Sequence, residues 1–108
     1  MKKLLVTLLF VPAMARAEFF TGNDLLARMN GTTLEQVQAL GYVQGVVDAH
    51  SSVIICPPSN VTAGQVRDMI KNYLDNSPAK RHYSADVIIG DALEKVWPCK
   101  QNRGGNKL

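Results

Sequence analysis

Cys56 and Cys99 are the only cysteines in the chain, and each is joined to a proline. The first opens Cys56-Pro57-Pro58 and the second closes Pro98-Cys99. Proline lacks an amide hydrogen and fixes φ, so a helix stops at or before such positions. A bond between these cysteines would therefore join two helix ends. It would also close a long loop, which chain-entropy reasoning values at on the order of 4 kcal/mol. That is comparable to the whole margin of a small domain.

Such a bond needs an oxidising compartment, and the first seventeen residues read as a route to one. Lys2 and Lys3 give a positive start, Leu4 to Val11 is an apolar run broken only by Thr7, and Pro12 ends it. Ala15 and Ala17 flank Arg16 as the small residues of a cleavage site. We therefore expect residues 1–17 to be a signal peptide, Glu18 to begin the mature chain, and the protein to work in the periplasm. The apolar run is too short for a membrane anchor, and no cysteine near Ala17 offers a lipid attachment point.

Removing residues 1–17 from 108 leaves ninety-one, enough for one domain. It also removes Lys2, Lys3 and Arg16, so twelve basic residues become nine, against nine Asp and Glu. The apparent basicity thus belongs to the leader, and a nucleic-acid partner loses its electrostatic support. A chain of this size buries only about 60 to 65% of its extended surface, which makes a covalent staple useful.

Four segments read as helices and none as a convincing strand. The first covers Asp24 to Met29 behind Asn23 as N-cap and stops at Asn30-Gly31, with Phe19 and Phe20 expected to pack as an apolar plug. The second begins with a Thr32–Glu35 capping box and is expected to run to about Ile55. Leu40, Val43, Val47 and Ile54 give it an apolar face, which Val37, Val46 and Val53 widen. Gly41 and Gly45 lie on one side of it and would let another helix approach closely.

The third helix starts at a Thr62–Gln65 capping box stapled by Val61 and Val66, and carries Val66, Met69, Ile70, Tyr73 and Leu74 as a stripe. The fourth starts at Ser77-Pro78 or a turn later. It carries Ala85, Ile88, Ile89, Ala92, Leu93 and Val96 as its buried stripe and ends at Trp97. The expected fold is all-α, a compact bundle of about four helices tied by a Cys56–Cys99 disulfide. Residues 18–99 form the domain, and residues 100–108 read as a flexible polar tail.

Chemistry is sparse. His50, Cys56, His82 and Cys99 lack the close ligand spacing of a zinc site. Asp48 and His50, two apart on a helix, point to different faces, so Asp48 is expected to cap or pair within the bundle. Tyr42 is expected to pack its ring in the core and bond at the edge. Lys80, Arg81 and His82 form a small basic patch, a solvated turn or a contact for a partner. With no nucleophile–base set and no phosphate loop, we expect no catalysis, no cofactor and no metal.

The order of short motifs is informative. Gly41-Tyr42-Val43-Gln44-Gly45-Val46-Val47-Asp48 precedes Cys56-Pro57, then Val61-Thr62 with Gln65, Tyr73-Leu74 before Ser77-Pro78, Ala92-Leu93, and Trp97-Pro98-Cys99. This series resembles the Rap/Tai family of periplasmic immunity proteins, which protect Gram-negative bacteria from peptidoglycan amidases delivered by type VI secretion. The resemblance covers about sixty residues, from the second helix to the second cysteine. It implies an all-helical protein, often a homodimer, that binds an exported amidase and blocks its cleft without catalysis of its own. Two other readings fit an exported helical bundle: an accessory protein of a conjugation or secretion locus, and an acid-stress chaperone.

Overall fold

The computed structural model describes residues 19–100. The signal segment, with Ala15 and Ala17, and residues 101–108 lie outside the described residues. Among the described residues four α-helices follow one another: α1 (Gly22–Met29), α2 (Thr33–His50), α3 (Ala63–Asp75) and α4 (Ala85–Val96). A single 3-10 turn, Pro78–Lys80, stands between α3 and α4. Among the described residues there is no strand, only isolated bridges. The chain is an all-α bundle.

Three helix starts share one device. At Thr21, Thr32 and Thr62 the threonine hydroxyl accepts the amide three residues on, while Asp24, Glu35 or Gln65 accepts the threonine amide in return. Each box satisfies two amides that a helix start leaves without partners. The second and third match the sequence expectation. The first corrects it, since Thr21 rather than Asn23 caps α1. Asp24, three residues after Thr21, was the available signal.

The core is one cluster. Leu25, Val43, Ile55, Ile70, Leu74, Ile89 and Leu93 are its largest fully buried side chains. Each such side chain contributes roughly 1.5 to 3 kcal/mol through burial. The α3 stripe is as expected, with Val66, Ile70 and Leu74 buried and Met69 and Tyr73 packed against them. The α4 stripe holds from Ala85 to Leu93, but Val96 is half exposed because α4 ends there.

The long helix departs most from its expected form. α2 ends at His50, five residues before Ile55. Ser51 turns extended, its hydroxyl donating to the Val47 carbonyl, and Ser52 takes φ 71°. The amides of Val53, Ile54 and Ile55 all donate to the His50 carbonyl, which folds the chain back on itself. This turn swings Ile55 fully into the core and aligns Cys56, whose amide donates to the Trp97 carbonyl at 2.8 Å. Cys56 and Cys99 are disulfide-bonded, with Cα atoms 4.9 Å apart. Tertiary burial of Ile55 thus wins over continuation of the helix.

Other expectations for α2 also change. Val43 is fully buried, whereas Val37 and Val53 are 60% and 70% exposed. Gly41 and Gly45 have no neighbour within 4 Å of where a Cβ would stand, so among the described residues no helix lies on them. At Gly90 of α4, Ile54 and His50 come only to ordinary contact, 3.5 and 3.9 Å from where a Cβ would stand. Phe20 stacks on Tyr42 at 4.8 Å beneath the Arg28 guanidinium, while Phe19 is exposed and plugs nothing.

Candidate protein-binding surface

Lys80, Arg81 and His82 sit where the chain passes from α3 to α4. Asn76 caps α3, Pro78 starts the 3-10 turn, and α4 begins only at Ala85, later than Ser77-Pro78 suggested. The intervening loop is pinned to the N-terminal segment. The Asn23 amide donates to the Arg81 carbonyl at 2.8 Å, Gly22 to Tyr83 at 3.0 Å, and Ala85 to Phe20 at 2.8 Å. A methyl group on Gly22 would come within 2.9 Å of the Arg81 carbonyl oxygen and 2.6 Å of Ile88. Only glycine permits this contact.

That anchoring splits the basic triplet. Lys80 and His82 are exposed, while Arg81 is half buried and its Nε is buried without a hydrogen-bond partner. His82 stacks on Tyr83 with ring centroids 4.2 Å apart. Tyr83 and Val87 are both more than half exposed. A shallow depression of about 410 Å³ lies between Tyr73, Lys80, Tyr83, Val87, Ile88 and Asp91. The sequence flagged the cations but missed Tyr83 and Val87. Their signal was an apolar pair straddling the true α4 start.

A second concavity, of about 330 Å³, separates α2 from the Pro57–Ser59 connection and the start of α3. Asp48 is on its edge. It is exposed and makes no hydrogen bond or ion pair with the described residues, so it neither caps nor pairs as expected. Tyr42 is half buried, as expected. Its hydroxyl is held above its ordinary pKa by burial and by the Asp86 carboxylate, an effect the Asp86 backbone amide partly offsets.

Both cysteines are consumed by the disulfide, and no group of three or more His, Cys, Asp or Glu among the described residues is placed to hold a metal. No helix among them is long and apolar enough to cross a membrane. Exposed cations stand beside paired rings and aliphatic side chains on a clamped helical frame. Fold and surface define a class, a small disulfide-tied helical bundle. Residues 21–99 match the family model of Rap1a immunity proteins, and the chain belongs to that family. The match takes in α1 as well as the region from α2 to Cys99 that carried the sequence resemblance. No curated protein matches the chain.

Proposed function

We propose that the chain is an exported immunity protein that binds and inhibits a peptidoglycan amidase delivered by type VI secretion. Membership of the Rap1a immunity family carries this reading. Immunity is exerted by occupying an effector, so the protein acts as an inhibitor and not as an enzyme. Residues 1–17 direct export to the periplasm and are removed, 18–99 form the working domain, and 100–108 follow as a polar tail. The contact region is placed on Lys80, Arg81 and His82 together with Tyr83. The pinned loop supports that placement, because a preordered loop loses little entropy on binding.

The reading has a direct test. An amidase encoded beside this chain should co-elute with it from periplasm and lose activity on isolated peptidoglycan. Lys80→Glu with His82→Glu should weaken inhibition at least about tenfold, as expected for loss of a charged contact at an interface. No co-elution and no inhibition would sink the amidase assignment.

A homodimer is placed on the open side of α2. Leu34 and Val37, both more than half exposed, share that side with Gly41 and Gly45. Gly41→Leu should convert a dimer to monomer in light scattering while leaving the melting temperature of the fold intact.

A further inference from the structure

The concavity between α2 and the start of α3 takes no part in the contact region assigned above. Its floor is aliphatic: Val43 and Val66 are buried, Val47 and Val61 half buried. Its edge is polar, with Gln44, Asp48, Ser59 and Thr62. Three of the short motifs behind the family resemblance meet there: the Gly41–Asp48 segment, Cys56-Pro57 and Val61-Thr62.

We propose that this groove docks one long basic side chain, Lys or Arg, from a segment of a partner polypeptide. The aliphatic stem lies along the valines and the cationic head meets Asp48. Charge supports this choice, since Asp48 is the only ionisable residue lining the groove and has no partner among the described residues. An anionic or purely apolar guest would leave or strand that carboxylate, whereas a cation gains a charge-assisted bond. Lys and Arg carry their charge on a stem that packs against apolar surface, which suits the valine floor.

Size agrees as well. About 330 Å³, at the lower end of the roughly 300 to 1,000 Å³ of small-molecule sites, accommodates one long side chain. The groove is also preformed. The Ser51 hydroxyl is tied to Val47, the Thr62–Gln65 box fixes the α3 start, and Cys56 beside the proline wall is bonded to Cys99. One carboxylate is too few for a hard cation such as calcium, which takes six or more oxygens.

The test is a titration of isotope-labelled protein with capped tripeptides that place arginine, lysine, norleucine or glutamate between two valines. The methyl signals of Val43, Val47, Val61 and Val66 are followed up to about 10 mM peptide, the range expected of a single anchor. The arginine and lysine peptides should give saturable shifts at these valines. Norleucine in the peptide, or Asp48→Asn in the protein, should weaken binding about five- to tenfold. Equal shifts from norleucine, unchanged affinity in Asp48→Asn, or no saturable shift would each overturn the assignment. Amidase inhibition by the same variant bears on the immunity reading alone, so the two can fail separately.

Discussion

The two ends of α4 are fastened by different chemistry. At its start, three backbone hydrogen bonds tie the loop and the first residue of the helix to residues 20–23. Their close geometry depends on Gly22 having no side chain. At its end, the Cys56–Cys99 bond and the Cys56 amide on the Trp97 carbonyl tie the chain to the turn after α2. One end is held by shape and the other by a covalent bond. The shape-held end presents Lys80, His82 and Tyr83. The covalent end stiffens the wall of the Asp48 groove. Each surface thus takes its rigidity from the fastening nearest to it, and each should fail under a different insult.

Breaking the covalent end should cost most. Cys56→Ser with Cys99→Ser reopens a loop closed across 43 residues. Stability in urea should fall by about 3 to 4 kcal/mol in the chain-entropy picture, and a reducing agent should reproduce the loss in the parent protein. A loss below about 1 kcal/mol would mean that the turn after α2 holds without the bond. The shape-held end comes next. Gly22→Ala sets a methyl against the Arg81 backbone, which is less able to move than a side-chain tip. It should cost about 1 to 3 kcal/mol in the same assay. Hydrogen exchange should speed at the Asn23 and Ala85 amides while Cys56 stays protected.

How much of this comparison the sequence foretold depends on whether local or distant residues decide it. The Thr32 and Thr62 boxes, the α3 stripe and the cysteine pair were legible, because each is written within a few residues or by elimination. The end of α2 was not. Nothing between Ser51 and Ile55 forbids a helix, and the chain leaves it because Ile55 is buried by residues far away in sequence. The same holds for Gly22, whose close neighbours are Arg81 and Ile88. Of the candidate site, the cations were visible as charges. That Arg81 turns partly inward while His82 stacks on Tyr83 depends on the α1 contact, which no local pattern records. Gly41 and Gly45 misled in the opposite direction, since helical glycines suggest a neighbour that the described residues do not supply.

Smaller effects sharpen the comparison. Ser52, in the turn that leads to the covalent end, has φ 71°, a region costly for any residue but glycine. Ser52→Gly should remove that cost, offset in part by the added freedom of the unfolded chain, for a net gain of about 0.5 kcal/mol. A loss instead would show that the serine side chain contributes something beyond its backbone position.

The smallest effect lies at the other end, where the Tyr42 hydroxyl meets Asp86 in the first turn of α4. Burial and the Asp86 carboxylate both disfavour the phenolate, so the folded pKa is raised above the ordinary value of 10.0. The neutral phenol is then the form that the fold prefers. Its contribution to stability is complete below pH 10 and is lost as the pH rises through the raised folded value. The hydroxyl is partly open to solvent, so the loss should be small. Tyr42→Phe should flatten that part of the alkaline stability profile and leave the neutral range nearly unchanged. Asp86→Asn should flatten it only in part, because burial, the larger cause, remains. If Tyr42→Phe leaves the alkaline slope as steep as in the parent, the Tyr42–Asp86 contact has no share in fastening the start of α4. The backbone bonds around Gly22 would then hold that end alone.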